Sequence, residues 1–188
     1  MPFFAKSIVH VKAILLDRKN SDLGQVRLDS TEDFFRQFVE TFPGTVEDIQ
    51  MDVCTGFLRY EPPVETETKG LEAFRFAWDF IKSWKQRYIG SGPDVMCILD
   101  IGPAYEWEHI SEIRGHFTMH VGEMANFSIL ALNTDNALEA DTILAGAAMA
   151  AVLSIHQEEL QTRYPFRLER LPDDLLKKPA YRVSPEFT

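Results

Sequence analysis

The residues best suited to chemistry fall in one stretch, GHFTMHVGE, from Gly115 to Glu123. Two histidines flank a threonine, and an acid follows three residues after the second. The alternation of types predicts a strand with His116, Thr118 and His120 on one face and Phe117, Met119 and Val121 on the other. The apolar row is expected to face the core, which leaves the polar row outward or lining a groove. At ~3.3 Å per residue the two imidazoles stand ~13 Å apart. That is too far to share an ion whose bonds to nitrogen are ~2.0 Å. No metal site is expected from this pair.

The tetrapeptide His116-Phe117-Thr118-Met119 resembles one of the His-x-Thr motifs of the two-histidine phosphoesterases. The resemblance implies acid–base work for the histidine and phosphate contact for the threonine. That family needs a second motif on a partnering strand, and His109-Ile110-Ser111 fits it loosely, seven residues upstream in an expected loop. One reading of the chain is therefore an enzyme acting on a phosphate ester through His116, Thr118 and His120. GxxxxGK[ST], GxGxxG, HExxH, GxSxG and CxxC are all missing from the sequence, and no cofactor is expected.

A second patch, Tyr105-Glu106-Trp107-Glu108-His109-Ile110-Ser111-Glu112, alternates large aromatics with carboxylates. It follows Gly102-Pro103, which is expected to end a strand, so the patch reads as a loop. Aromatic anchors ringed by charge suit a protein interface, so Tyr105, Glu106, Trp107, Glu108 and Glu112 are the expected partner-binding residues. The net charge of −10 repels nucleic acid and anionic lipid and attracts a basic protein. The leading expectation is thus a non-catalytic acidic binder of a basic partner. It has the profile of immunity proteins or phage-encoded inhibitors, an analogy of class rather than of motif.

The elements that must position these residues follow from periodicity. The 188 residues are 45% hydrophobic, enough for one domain with a substantial core. No apolar run is long enough to span a membrane, and the N-terminus lacks a cleavage site, so the chain is expected in the cytoplasm. Cys54 and Cys97 each fall in an expected strand and read as reduced, buried apolar residues.

Strands are expected at about 6–17, 49–60, 94–101, 113–121 and 126–132, with Gly56 a possible bulge. Helices are expected from Asp29, from Gly70 to Tyr88, and across the apolar run Ile143 to Ile155, the last as a buried central helix. The fold class is therefore α+β. One domain, 1–164, would pack three helices on a five-stranded mixed or mainly antiparallel sheet in the order β-α-β-α-β-β-β-α. An irregular proline-containing tail, 165–188, would follow.

The second helix has an apolar arc about twice the ~100° a surface helix needs. Either it is sandwiched within the domain, or Phe76, Phe80 and Trp84 meet another chain. The latter would make the protein an oligomeric structural or assembly subunit.

Overall fold

The computed structural model describes residues 4–16, 24–50, 52–89, 92–111, 115–134 and 137–187. At 4–5, 24–29, 50, 107–111, 115–119 and 124–126 it describes the backbone alone. The first half of the chain builds β1 (Phe4–Leu16), α1 (Gly24–Thr41), β2 (Thr45–Gln50), β3 (Val53–Arg59), α2 (Thr66–Arg87) and β4 (Asp94–Ser111). The second half adds β5 (Gly115–Val121), α3 (Glu123–Leu132), β6 (Ile143–Gly146), α4 (Ala147–Ile155), α5 (Gln157–Gln161), β7 (Phe166–Arg170), α6 (Asp173–Leu176) and β8 (Ala180–Pro185).

All eight strands join one mixed sheet in the order β2-β3-β1-β4-β6-β8-β7, with β5 paired to the outer half of β4. Every pairing is antiparallel except β4 with β6. The α+β single-domain reading holds, but with eight strands rather than five and, among the described residues, six helices rather than three.

The sheet separates two packed layers. Val9, Val11, Ala13 and Leu15 of β1 and Val95, Cys97, Leu99 and Ile101 of β4 face the layer of α1, α2 and α4. The alternate residues Ile14, Met96 and Ile98, with Leu144 of β6, face α3 and α6 through Phe127, Ala131 and Leu176. This is the period-two signature of strands covered on both faces.

The wide apolar arc of α2 has a simple cause. One side of the helix meets the sheet, and α1 covers the other, edge-on through Phe34 to Trp84 and through Phe38 to Phe76 and Phe80. Phe76, Phe80 and Trp84 are buried within the domain, so the reading of them as an interface with another chain is corrected. The Trp84 indole donates to the Pro93 carbonyl at 2.9 Å.

Several other expectations change. The strand expected at 49–60 is a hairpin of two, with Asp52 in its turn. The bulge lies not at Gly56 but on the facing strand, where the register slips between Val46 and Asp48 at Glu47. Gly56 is small because the Phe42 ring lies over it. The strand expected at 126–132 is α3, which buries Phe127 and Ala131 one helical turn apart.

The helix expected from Ile143 begins only at Ala147, because the first four residues form β6 beside β4. Nor is it wholly buried: Met149, Ala150, Val152 and Leu153 face inward, while Ala151 and Ile155 are exposed. The tail expected to be irregular supplies β7 and β8. Cys54 and Cys97 are free and buried. Burial pushes the Cys54 thiol up to about 12 and raises that of Cys97 as well. Among the described residues no helix is long and apolar enough to cross a membrane.

Candidate functional site

The Gly102-Pro103 pair does not end β4. The strand runs through it with Ser7 opposite Pro103 and then pairs with β5, so residues 104–111 are strand rather than loop. Pairing with β6 stops at Leu99, so this stretch is an edge, where proline is tolerated. Together the outer half of β4 and β5 form an arm.

The expected partner-binding residues are thereby scattered. Tyr105 is exposed on the arm, whereas Glu106 is buried with 7% of its side chain accessible. Trp107 and Glu108 lie opposite Met119 and Thr118 in the backbone ladder; their side chains, and Glu112 entirely, lie outside the described residues. The same holds for the side chains of His116 and Thr118, which pair as backbone with Ile110 and Glu108. His120 does not face solvent as expected. Its side chain is 1% exposed and is enclosed by two carboxylates.

Those carboxylates come from different elements. Nδ1 of His120 lies 3.1 Å from Oε1 of Glu47, and Nε2 lies 3.1 Å from Oε2 of Glu106. The His120 backbone N–H also donates to Glu47 at 3.0 Å. Arg59 of β3 donates from Nε to the same Glu106 oxygen at 3.2 Å. The bulge in β2 is what aims Glu47 at this face of the sheet.

On the far side of Glu47, Nε2 of His10 stands 3.5 Å from Oε2, and its Nδ1 lies 3.4 Å from the Ser128 hydroxyl. Burial alone would raise the Glu47 pKa, but the two imidazoles outweigh it and hold the carboxylate down to about 2. Burial pushes His10 below its ordinary value, against the pull of Glu47. Lys12, lowered by burial, donates to the Thr55 hydroxyl at 3.0 Å.

Next to this network lies a cavity of about 290 Å³, lined among others by Asp100, Glu123, Phe127, Gly146 and Lys178. His10 and Asp100 are direct neighbours across β1 and β4, so network and cavity share one face of the sheet. Burial pushes the Asp100 carboxyl up to about 6, opposed by the Ile101 N–H at 2.9 Å and by the Lys178 charge. A Cβ at Gly146 would occupy the space of that carboxyl, so only glycine lets β6 pass here. Gly146 also precedes α4, whose first residues Ala147 and Ala148 line the same cavity.

The sequence matches no family model and no curated protein. The three-dimensional arrangement, by contrast, matches solved structures over nearly its whole length. The adenylyl cyclase CyaB from P. aeruginosa is 11% identical with a TM-score of 0.66, covering 100% of this chain and 97% of its own. The fold is that of nucleotide cyclase domains. The guanylate cyclase domain of RhGC from Catenaria anguillulae, solved in complex with GTP, is 14% identical with a TM-score of 0.66, covering 97% and 98%. A dimeric guanylyl cyclase domain of the RhoGC fusion protein from Blastocladiella emersonii gives 14% and 0.67, covering 98% of each chain.

These likenesses overturn the expectation of a non-catalytic inhibitor or immunity-type protein, and nothing in them supports a basic protein partner. They are compatible with a homo-oligomer. Gly146 and Lys178 were missed and left no motif, because the end of β6 and the segment before β8 bring them to Asp100, within β4, only in the fold. In the sequence Asp52, Asp94, Asp100, Glu106, Glu108, Glu112 and Glu123 stand as scattered carboxylates that could gather around a divalent ion, with nothing in their spacing to single out Asp100.

Proposed function

We propose that this domain is a nucleotide cyclase converting ATP or GTP into the cyclic 3′,5′-monophosphate and pyrophosphate. The observation that carries the reading is the near-complete two-way coverage of cyclase domains by one continuous chain. In the reaction the 3′-oxygen bonds to the α-phosphorus, the bond from that phosphorus to the pyrophosphate oxygen breaks, and the hydroxyl proton leaves to a base. Asp100, with its carboxyl pushed up to about 6, has the proton affinity suited to receive it near neutrality. Lys178 and the free N–H groups opening α4 supply positive potential for phosphate.

At about 290 Å³ the cavity is at the lower limit for a small-molecule site and holds only part of a nucleoside triphosphate. The carboxylates that suit a divalent cation lie elsewhere. Asp52 stands in the hairpin turn, where its backbone carbonyl accepts the Leu15 N–H on one side of the β1 end, and the Asp94 backbone pairs with Leu16 on the other. Among the described residues no three ligand-type side chains cluster tightly enough to hold a metal unaided. Magnesium bound to a triphosphate needs only one or two protein carboxylates, which these residues could provide. The ion would neutralise triphosphate charge.

Asp94 and Asp100 are six residues apart on β4, ~20 Å, so one chain cannot bring both groups to a single nucleotide. The reading therefore includes a second copy that contributes Asp52 and Asp94 to the cavity of the first. Exposed apolar residues on the arm and α3, namely Tyr105, Val121, Ile129 and Leu130, are available to such a contact.

The test is direct. The purified chain is incubated with ATP or GTP and either magnesium or manganese, and the products are separated and identified by mass. Cyclic nucleotide and pyrophosphate in equal amounts are expected. Neither product with either nucleotide, at chain concentrations where a dimer is present, would reject the proposal.

A further inference from the structure

The cavity beside Gly146 carries unbalanced charge. Among the described residues that line it, Lys178 is the one cation, against the carboxylates of Asp100 and Glu123. Lys178 forms no ion pair among the described residues, so its ammonium is available to an anion. Asp100 accepts the Ile101 N–H at 2.9 Å through Oδ1, and no described residue donates to its Oδ2. The carboxyl lies against Gly146, where a Cβ would collide with it.

These charges restrict how an anion enters. With all three groups ionised the lining holds one positive charge against two negative, and a phosphate adds at least one more negative. In about 290 Å³ of partly enclosed space, a phosphate on Lys178 stands close to Asp100. Like charges held together favour protonation of whichever group can take a proton. The phosphate also offsets the Lys178 charge, which is what opposes protonation of Asp100 from across the cavity. Both effects act in one direction. Once protonated, Asp100 ceases to repel the anion and gains an O–H able to donate to a phosphate oxygen.

The other groups facing Asp100 do not replace it in this role. On β1, His10 is pushed toward neutrality by burial and is engaged with Glu47 and Ser128. Tyr60, just past β3, is raised by burial and by the Asp100 charge, so its phenol already holds its proton. Glu123 of α3 is exposed, which leaves its charge to solvent. Gly146, Ala147 and Ala148 bring no ionisable group.

We propose that this cavity binds phosphate anions together with a proton: Lys178 takes the anion, and Asp100 takes up one proton from solvent as it does so. The identity of the anion, triphosphate of the substrate or pyrophosphate product, rests on the cyclase reading. The coupling itself needs no turnover. On that reading the acid limb of kcat should stand at higher pH than that of kcat/KM, since the first reports the occupied site and the second the empty one.

Carbon-13 resonance of aspartate carboxyl groups follows the proton directly, with the Asp100 signal assigned by its loss in Asp100→Asn. The whole chain is titrated at constant ionic strength, without nucleotide or metal, in the absence and presence of inorganic pyrophosphate. The free midpoint is expected near the value of about 6 that burial imposes. Pyrophosphate should raise it by about half a pH unit or more. Sulfate, whose own charge is constant over this range, should move it in the same direction. Lys178→Ala should begin from a higher midpoint that neither anion changes.

The proposal is overturned by a parent midpoint that pyrophosphate leaves unchanged or lowers, or by an equal rise in Lys178→Ala. The parent result decides on its own if that variant does not fold. Formation of cyclic nucleotide alongside an unmoved midpoint would sink the coupling and spare the cyclase reading. A raised midpoint with no cyclic product would do the reverse.

Discussion

Asp100 and Glu47 are both inward carboxylates on the same face of the sheet, yet their surroundings drive them in opposite directions. Asp100 has one backbone donor and a distant lysine, so burial dominates and its charged form is disfavoured. Its folded value lies above the unfolded 3.8, so stability is fullest below about pH 4 and is lost as pH rises to about 6. Asp100→Asn should therefore stabilise the fold by about 1–2 kcal/mol at pH 7.5 and by little at pH 3.5. Urea unfolding at the two values checks this. If Asp100 is the proton acceptor of the proposed reaction, cyclase activity should fall at least tenfold in the same variant.

Glu47 behaves in the contrary sense. Its folded value of about 2 lies below the unfolded 4.5, so its stabilisation is present above about pH 4.5 and disappears as pH falls toward 2. Glu47→Gln should cost about 2–3 kcal/mol at pH 6 and almost nothing at pH 2. A variant equally destabilised at both would place the loss in packing rather than in charge.

At the scale of elements, what could be read from the sequence followed from pattern strength. β1 alternates cleanly and α2 is long and periodic, so both were legible to within a few residues. The run Ile143 to Ile155 was not, because an all-apolar stretch has the same appearance in a buried strand and a buried helix. Only Gly146 marks where one becomes the other. α3 was misread because Phe127, Ser128, Ile129 and Leu130 suit a strand by type, while the turn-spaced burial of Phe127 and Ala131 shows only in the fold. The sequence pattern put His120 on an outward polar row, and its burial was not legible, since Glu47 and Arg59 come from strands far away in sequence.

The Phe42–Gly56 contact is a further case of element packing invisible to pattern. The Phe42 ring seats the end of α1 on the β2–β3 hairpin, and a Cβ at Gly56 would overlap it. Gly56→Ala should cost about 1–3 kcal/mol by overpacking. Paired with Phe42→Leu, which clears that space, the two losses should fall short of additive by at least 0.5 kcal/mol or so, as expected of residues in contact. Thermal or urea unfolding of the three variants completes the cycle.

At the scale of the whole molecule, the proposed division of one site between two copies has a consequence that no single residue reveals. Lys178 and Asp100 line one cavity, while Asp52 stands at the distant end of β1. If one nucleotide needs both, Asp52→Asn and Lys178→Ala should each abolish turnover when assayed alone, since every site in either homodimer lacks one group. Mixed in equal amounts and allowed to exchange, about half of the dimers are mixed, and about a quarter of all sites should regain a full complement. In a mixed dimer one site carries both lesions and the other carries neither. Activity should therefore return to roughly a quarter of the parent value at equal mixing, and should fall with dilution as dimers separate. No recovery on mixing, with exchange confirmed by mass, would place the whole reaction within one chain and remove the second copy from the site.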